Sequence, residues 1–205
     1  MARYGDEHKQ ATRQRIVEQA GRRFKQDGID GSGIATLMKD AGLTNGAFYG
    51  HFASKDELVT ASIAEELREQ REFLLGLEPG YAGLEQFVRA YLSVEHRDDP
   101  GAGCPSGALL DEVVRCSVPT RQAYTDGMVA IMDDFAAHLA SDDPDSARVT
   151  MFGVFASMVG TLQLSRAIAD RQLADAVLEQ GVANALSLLD AARPPRAAKR
   201  RRRSP

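Results

Sequence analysis

Tyr49, His51 and Lys55 fall close together in the stretch LTNGAFYGHFASKDEL, from Leu43 to Leu58. Tyr49 and His51 can each donate a hydrogen bond to an anionic oxygen. Lys55 stands just after Ser54, where S-x-x-E, Ser54 to Glu57, reads as the capping box of a new helix. A cation at a helix start opposes the macrodipole unless an anion lies nearby, and a phosphate would be such an anion. Gly46 and Gly50 interrupt the same short segment, although a mid-helix glycine costs about 1 kcal/mol relative to alanine. Glycine permits the close approach of a helix to a groove only about 12 Å wide. For Tyr49 or His51 in isolation, a solvated helical corner would be explanation enough; the combination of turn, glycines, aromatics and lysine favours a phosphate-facing surface.

The elements that must position these groups are short. The spacing predicts helices over 9–27, 34–41 and 45–51, the last two separated by Gly42-Leu43-Thr44. Gly42 can end the second in the left-handed conformation, Leu43 plugs the corner, and Thr44 starts the third as its N-cap. Phe48 and Phe52 share one face and should point inward beside Phe24, Leu37 and Ala41. The opposite face then presents Asn45, Gly46, Tyr49, Gly50 and His51.

Ala41 to Phe52, AGLTNGAFYGHF, followed by Ser54-Lys55-Asp56-Glu57-Leu58, resembles the signature of the TetR/AcrR family of bacterial transcriptional regulators. The likeness covers roughly the first sixty residues. It implies an all-α homodimer with an N-terminal domain that binds double-stranded operator DNA, and a C-terminal domain that binds a small-molecule inducer and supplies the dimer contact. Members usually repress transcription until the ligand releases them. Carried over by position, Thr44, Asn45 and Ala47 would face bases, with Gly46 allowing the approach, while Tyr49, His51 and Lys55 would hold phosphates. Gly33 stands where the family usually places a capping Ser or Thr that touches phosphate, and Ser32 is the candidate substitute.

Charge is divided along the chain. Residues 1–55 hold 9 Lys and Arg against 6 Asp and Glu, residues 56–192 hold 9 against 23, and residues 193–205 hold 7 against none. Basic ends around an acidic middle suit a protein that meets a polyanion, as they would a solvated face or a tail. With 43% hydrophobic and 26% charged residues the chain can bury a full core. No apolar run is expected to approach the roughly 20 residues of a membrane span, and Met1 to Lys25 carries no hydrophobic signal region, so the expectation is a cytoplasmic protein without membrane contact. Cys104 and Cys116 are too few for a disulfide framework.

Further on, apolar residues recur at helical spacing and strand-like alternation is nearly absent, which predicts an all-α chain with further helices near 55–77, 84–96, 106–115, 119–140, 145–168 and 173–191. The expected division is a DNA-binding domain over 1–53, a ligand-binding and dimerisation domain over 54–192, and a disordered basic tail, RPPRAAKRRRRSP, over 193–205. Phe87, Tyr91, Leu110, Met128, Met132, Phe155 and Met158 suit an adaptable apolar ligand pocket, or an ordinary core. Gln163 reads as a polar anchor or an exposed side chain. Gly153, Ser157 and Gly160 are small enough for close helix approach, either at a dimer interface or within the fold. Cys104, in GAGCPSG before a helix start, leaves open a thiol-based redox or electrophile sensor. A helical enzyme or scaffold is the alternative of another class, although no P-loop, G-x-S-x-G or helical metal-site spacing is present. Neither cofactor nor metal is expected.

Overall fold

The structure, a computed structural model, describes residues 2–139 and 144–192. The expected basic tail, residues 193–205, lies outside the described residues. Nine α-helices and two 3-10 segments follow in order among the described residues, with no strand, so the all-α expectation holds. They are α1 (Ala2–Asp27), α2 (Ile34–Asp40), a 3-10 segment (Asn45–Gly50), α3 (Lys55–Leu75), α4 (Tyr81–Tyr91), α5 (Val94–Asp98), a 3-10 turn (Pro100–Ala102), α6 (Pro105–Val113), α7 (Val118–His138), α8 (Pro144–Ala167) and α9 (Arg171–Ala192).

The head forms because α1 lines up Ile16, Val17, Ala20 and Phe24 on one buried face, against which Leu37, Met38, Phe48 and Phe52 close. Gly42, at φ +71°, ends α2 as expected. Its N–H donates to Lys39 O (2.9 Å), and that of Leu43 donates to Met38 O (2.8 Å), the paired bonds of a Schellman stop. Two helix starts differ from expectation. Thr44 occupies the cap position without a side-chain bond, and α2 begins at Gly33 with none. Ser32 does not substitute there, because its hydroxyl donates back to Gly28 O (2.7 Å).

Ser54 does cap α3, accepting from Glu57 N (3.1 Å), while the Glu57 carboxylate reaches back to Ala53 N (2.7 Å). α3 joins head to body, packing on α1 and on α7. The expected helix over 84–96 is instead two, α4 and α5. Ser93 caps the second by accepting from His96 N (3.2 Å), and the His96 ring binds Tyr91 O (2.6 Å), a carbonyl at the end of the first. Apolar periodicity cannot register such a polar restart.

α8 corrects the expectation that no apolar run is long enough to span a bilayer. Asp145–Ala167, with mean hydropathy 1.2, is long and apolar enough by length and composition, with 39% of the window buried. The helix is apolar on two sides: Met151, Val154, Phe155 and Met158 are buried inward, while Val149 and Leu164 lie exposed. It packs against α9, α7, α6 and α5.

Candidate nucleic-acid interface and an open cavity in the body

Local backbone geometry sets which groups the head presents. The segment Asn45–Gly50 is a 3-10 helix, not the expected α-helix; its bonds include Ala47 N to Thr44 O (3.0 Å) and His51 N to Phe48 O (2.9 Å). Six residues, two of them glycine, supply too few α-type bonds to favour the wider helix. Phe48 is fully buried, edge-on to Tyr49 with centroids 5.2 Å apart and stacked on Phe52 at 5.8 Å. That backing turns Tyr49 outward to 72% exposure. Thr44, Asn45, Gly46 and Gly50 are exposed beside it, and Ala47 is half-buried. A side-chain carbon added at Gly46 or Gly50 would meet no neighbour, so neither glycine is required by packing.

His51 and Lys55 are placed differently. His51 is half-buried, with its Nδ1 buried and without a hydrogen-bond partner. Burial, then Lys9 and Arg13, lower its pKa, which favours the neutral ring. Arg13 lies over the Phe52 ring at 4.5 Å. The Lys55 ammonium is half-buried and donates to Ile29 O, bracing the loop after α1 against the start of α3. The lysine therefore has an internal acceptor that the sequence did not disclose.

The body contains a cavity of about 570 Å³ between α3, α4, α5 and the Pro100–Pro105 segment. Phe73, Phe87 and Tyr91 supply aromatic wall, and Glu66, Glu69, Gln70, Glu95, His96, Asp99 and Cys104 supply the polar part. Only two of the seven expected ligand residues, Phe87 and Tyr91, line it. Phe155 and Met158, with Phe87 again, line a second gap of about 10 Å³, room for at most one water. Met128 and Met132 line neither cavity and are core, and Leu110 is 38% exposed away from both. The methionines fill irregular space between helices, as flexible side chains do. Gln163 is an exposed side chain. The polar residues that line the large cavity escaped sequence reasoning, because their spacing on α3 is that of an ordinary solvated face; the one local signal was GAGCPSG.

Hydrogen bonds in the cavity wall are specific. His96 Nε2 accepts from Cys104 N (3.0 Å), so Nδ1 is the protonated nitrogen that donates to Tyr91 O, and burial keeps the ring neutral by lowering its pKa. The buried Cys104 thiol donates to Gln70 Oε1 (3.0 Å). Lys25 of α1 reaches into the same wall, pairing with Glu66 and donating to Gly103 O (2.8 Å). Burial is the largest influence on Glu66 and raises its carboxyl pKa despite that pairing.

Gly153 is exposed, while Ser157 and Gly160 are half-buried, and no neighbour lies near a carbon added at either glycine. They share the outer side of α8 with Val149, Phe152 and Leu164. Close packing of α8 on α9 is achieved elsewhere, at Gly181, where an added carbon would lie 2.3 Å from Thr161 Cγ2.

A buried aromatic platform carrying a tight turn and an exposed polar segment defines a helix-turn-helix protein. Residues 16–61 match the family described as "Bacterial regulatory proteins, tetR family". The chain is 41% identical over 58 residues to the HTH-type transcriptional regulator AcrR of Shigella flexneri, an alignment covering 28% of this chain and only 27% of that regulator. It is 28% identical over 141 residues to the HTH-type transcriptional repressor AcnR of Corynebacterium glutamicum, covering 60% of this chain and 75% of the relative. A solved TetR transcriptional regulator from Chloroflexus aurantiacus has the same fold, with a TM-score of 0.69 at 22% identity, over 90% of this chain and 96% of that one. The likeness to the tetR family of bacterial regulatory proteins is carried by residues 16–61, and the chain spans only about a quarter to a third of the length of the first curated relatives it matches.

Proposed function

We propose that the chain is a cytoplasmic, sequence-specific DNA-binding regulator that represses transcription as a homodimer and leaves its operator when a small molecule fills the cavity. The observation that carries this reading is the exposure of Thr44, Asn45, Gly46 and Tyr49 on a segment whose Phe48 is fully buried. A rigid polar ridge of this kind fits a major groove, where base edges specify and phosphate contacts position. In this reading Thr44, Asn45 and Ala47 meet bases, and Tyr49, His51 and Lys55 meet phosphates, Lys55 by leaving Ile29 O. Residues 1–53 form the DNA-binding domain and 54–192 the ligand-binding and dimerisation domain. Gly153, Ser157 and Gly160 face the partner across α8 and α9, where Leu173 and Leu188 are exposed as well. Ligand binding reaches the head through Glu66, which lines the cavity while holding Lys25 of α1.

The thiol-sensor alternative has less support, since Cys104 is 7% exposed and its thiol is engaged with Gln70. A helical enzyme has none from the three similar proteins, all named as regulators of transcription. The test is a footprint of the purified chain on the DNA flanking its own gene. The proposal expects a protected twofold site with half-sites about 34–36 Å apart, or a multiple. Protection no different from that of random DNA would reject it.

A further inference from the structure

We propose that the basic run Lys199–Arg203 is a second DNA-binding element, which holds the phosphate backbone of a duplex other than the one under the head, so that the protein bridges two DNA segments. This rests on the DNA-binding reading above and adds a binding activity to it. Residues 193–205 hold seven Lys and Arg, no Asp or Glu, and otherwise only Pro, Ala and Ser; five of the seven are consecutive. Such a run matches a polymer that carries one negative charge per about 1.7 Å of axis. Contacts to phosphate carry no sequence information, so any duplex serves. A membrane surface is a poorer partner, because an interfacial segment needs apolar residues that this stretch does not have.

Where the run is rooted decides which duplex it meets. α3 leaves the head at Lys55, and α7 runs beside it in the same direction: the Thr60 and Thr120 hydroxyls are 2.7 Å apart near the head, and Arg71 donates to Asp134 (2.6 Å) farther out. At 1.5 Å per residue, Arg71 lies roughly 24 Å beyond Lys55. Leu189, in the last turn of α9, meets Phe135 of α7 and Met151 of α8 around the small gap at that level. α9 therefore ends at the far end of the body from the Tyr49 segment. Lys199 follows Ala192 by seven residues and can lie at most about 25 Å from it. The run can come down to the head's own duplex only if the chain is pulled straight along the side of the body, the arrangement with the least conformational freedom.

Charge points the same way. Residues 56–192 hold 9 Lys and Arg against 23 Asp and Glu, so the surface of the body repels a duplex. That repulsion is screened over about 10 Å at 0.1 M salt, and the run's reach of up to about 25 Å exceeds it. Carboxylates beside the root of the run are already paired: Asp134 with Arg71, Asp133 and Asp145 with Arg148, and Glu85 with Arg89. They leave the run to an outside polyanion.

The test loads the full chain onto beads carrying the footprinted duplex and then adds a labelled random duplex at about 50 and about 200 mM salt. The full chain should capture the labelled duplex at the lower salt and release it at the higher, where five phosphate contacts lose about 500-fold in affinity. Ending the chain at Ala192, or substituting Lys199→Gln with Arg200→Gln, Arg201→Gln, Arg202→Gln and Arg203→Gln, should cut capture per bound protein by about tenfold or more, with affinity for the footprinted duplex changed less than about twofold. Exchanging the four arginines for lysine should keep the capture, since charge alone is asked of them. No capture by the full chain, equal capture by the shortened chain, or a loss of affinity for the footprinted duplex that matches the loss of capture, the mark of a run lying on the head's own duplex, overturns the proposal. Preferential binding of the footprinted duplex without capture overturns the bridge and keeps the regulator; bridging of two random duplexes through the run, by a chain that prefers no site, does the reverse.

Discussion

Phe48 and Tyr91 are both buried aromatic residues in helical surroundings, and they serve opposite ends. Phe48 is enclosed on all sides, stacked on Phe52 and edge-on to Tyr49, and the solid packing forces polar groups outward. Tyr91 also touches aromatic neighbours, Phe155 at 5.4 Å and Phe87 at 5.7 Å, but borders empty volume and keeps an unpartnered hydroxyl inside. Reading a large, stiff polymer calls for exposed donors on a platform that does not yield. Holding a small molecule calls for polar valences left open in the interior, at some cost to the empty protein.

Mutating each aromatic residue should separate these roles. Phe48→Ala empties a packed site and should cost about 3–5 kcal/mol in urea unfolding, with operator binding lost. Tyr91→Phe removes only an unsatisfied hydroxyl and should change stability by less than about 1 kcal/mol. A large loss from Tyr91→Phe would mean that the hydroxyl is partnered and the cavity is not poised for a ligand.

The glycines offer a second contrast, of intermediate size. Gly181→Val should cost about 1–3 kcal/mol through its clash with Thr161, whereas Gly160→Ala should leave the thermal transition in place. Gly160→Arg should instead yield monomers by sedimentation with the helical content kept; normal dimers would move the interface off this face of α8.

Smaller effects are expected at the head surface. Lys55→Ala should lower the slope of log affinity against log salt by about 0.9, one phosphate's worth, while an unchanged slope would leave Lys55 only its bond to Ile29. His51, held neutral in the free protein by burial and by Lys9 and Arg13, should gain a proton beside a phosphate. Its pKa then rises on binding, so operator affinity should increase as pH falls from neutrality toward 6, and His51→Gln should flatten that dependence.

The head was legible because its constraints are local. Gly42 must take a positive φ, Ser54 and Glu57 must cap, and Phe48 and Phe52 must share a face, all within a few residues of sequence. Even so, the narrow 3-10 winding of Asn45–Gly50 and the bond from Lys55 to Ile29 were not, since the one depends on too few backbone bonds and the other joins separate elements. The cavity resisted reading for that second reason. Glu66, Gln70, Tyr91 and Cys104 converge from three stretches of chain, and on α3 the polar members look like any solvated face. Methionines and Leu110, chosen by apolarity, fell in the core or at the surface, because apolarity marks burial and a cavity is bounded by what is left unfilled.

The central claim, that the exposed segment after Gly42 reads DNA, is tested most directly by fluorescence anisotropy of the wild-type chain and of Asn45→Ala, Tyr49→Phe and Lys55→Ala on the footprinted site and on a random duplex, at two salt concentrations. The account predicts that Asn45→Ala lowers the ratio of specific to random affinity by about 1–3 kcal/mol equivalent, while Tyr49→Phe and Lys55→Ala weaken both duplexes alike. Wild-type affinities and ratios in all three variants would contradict it.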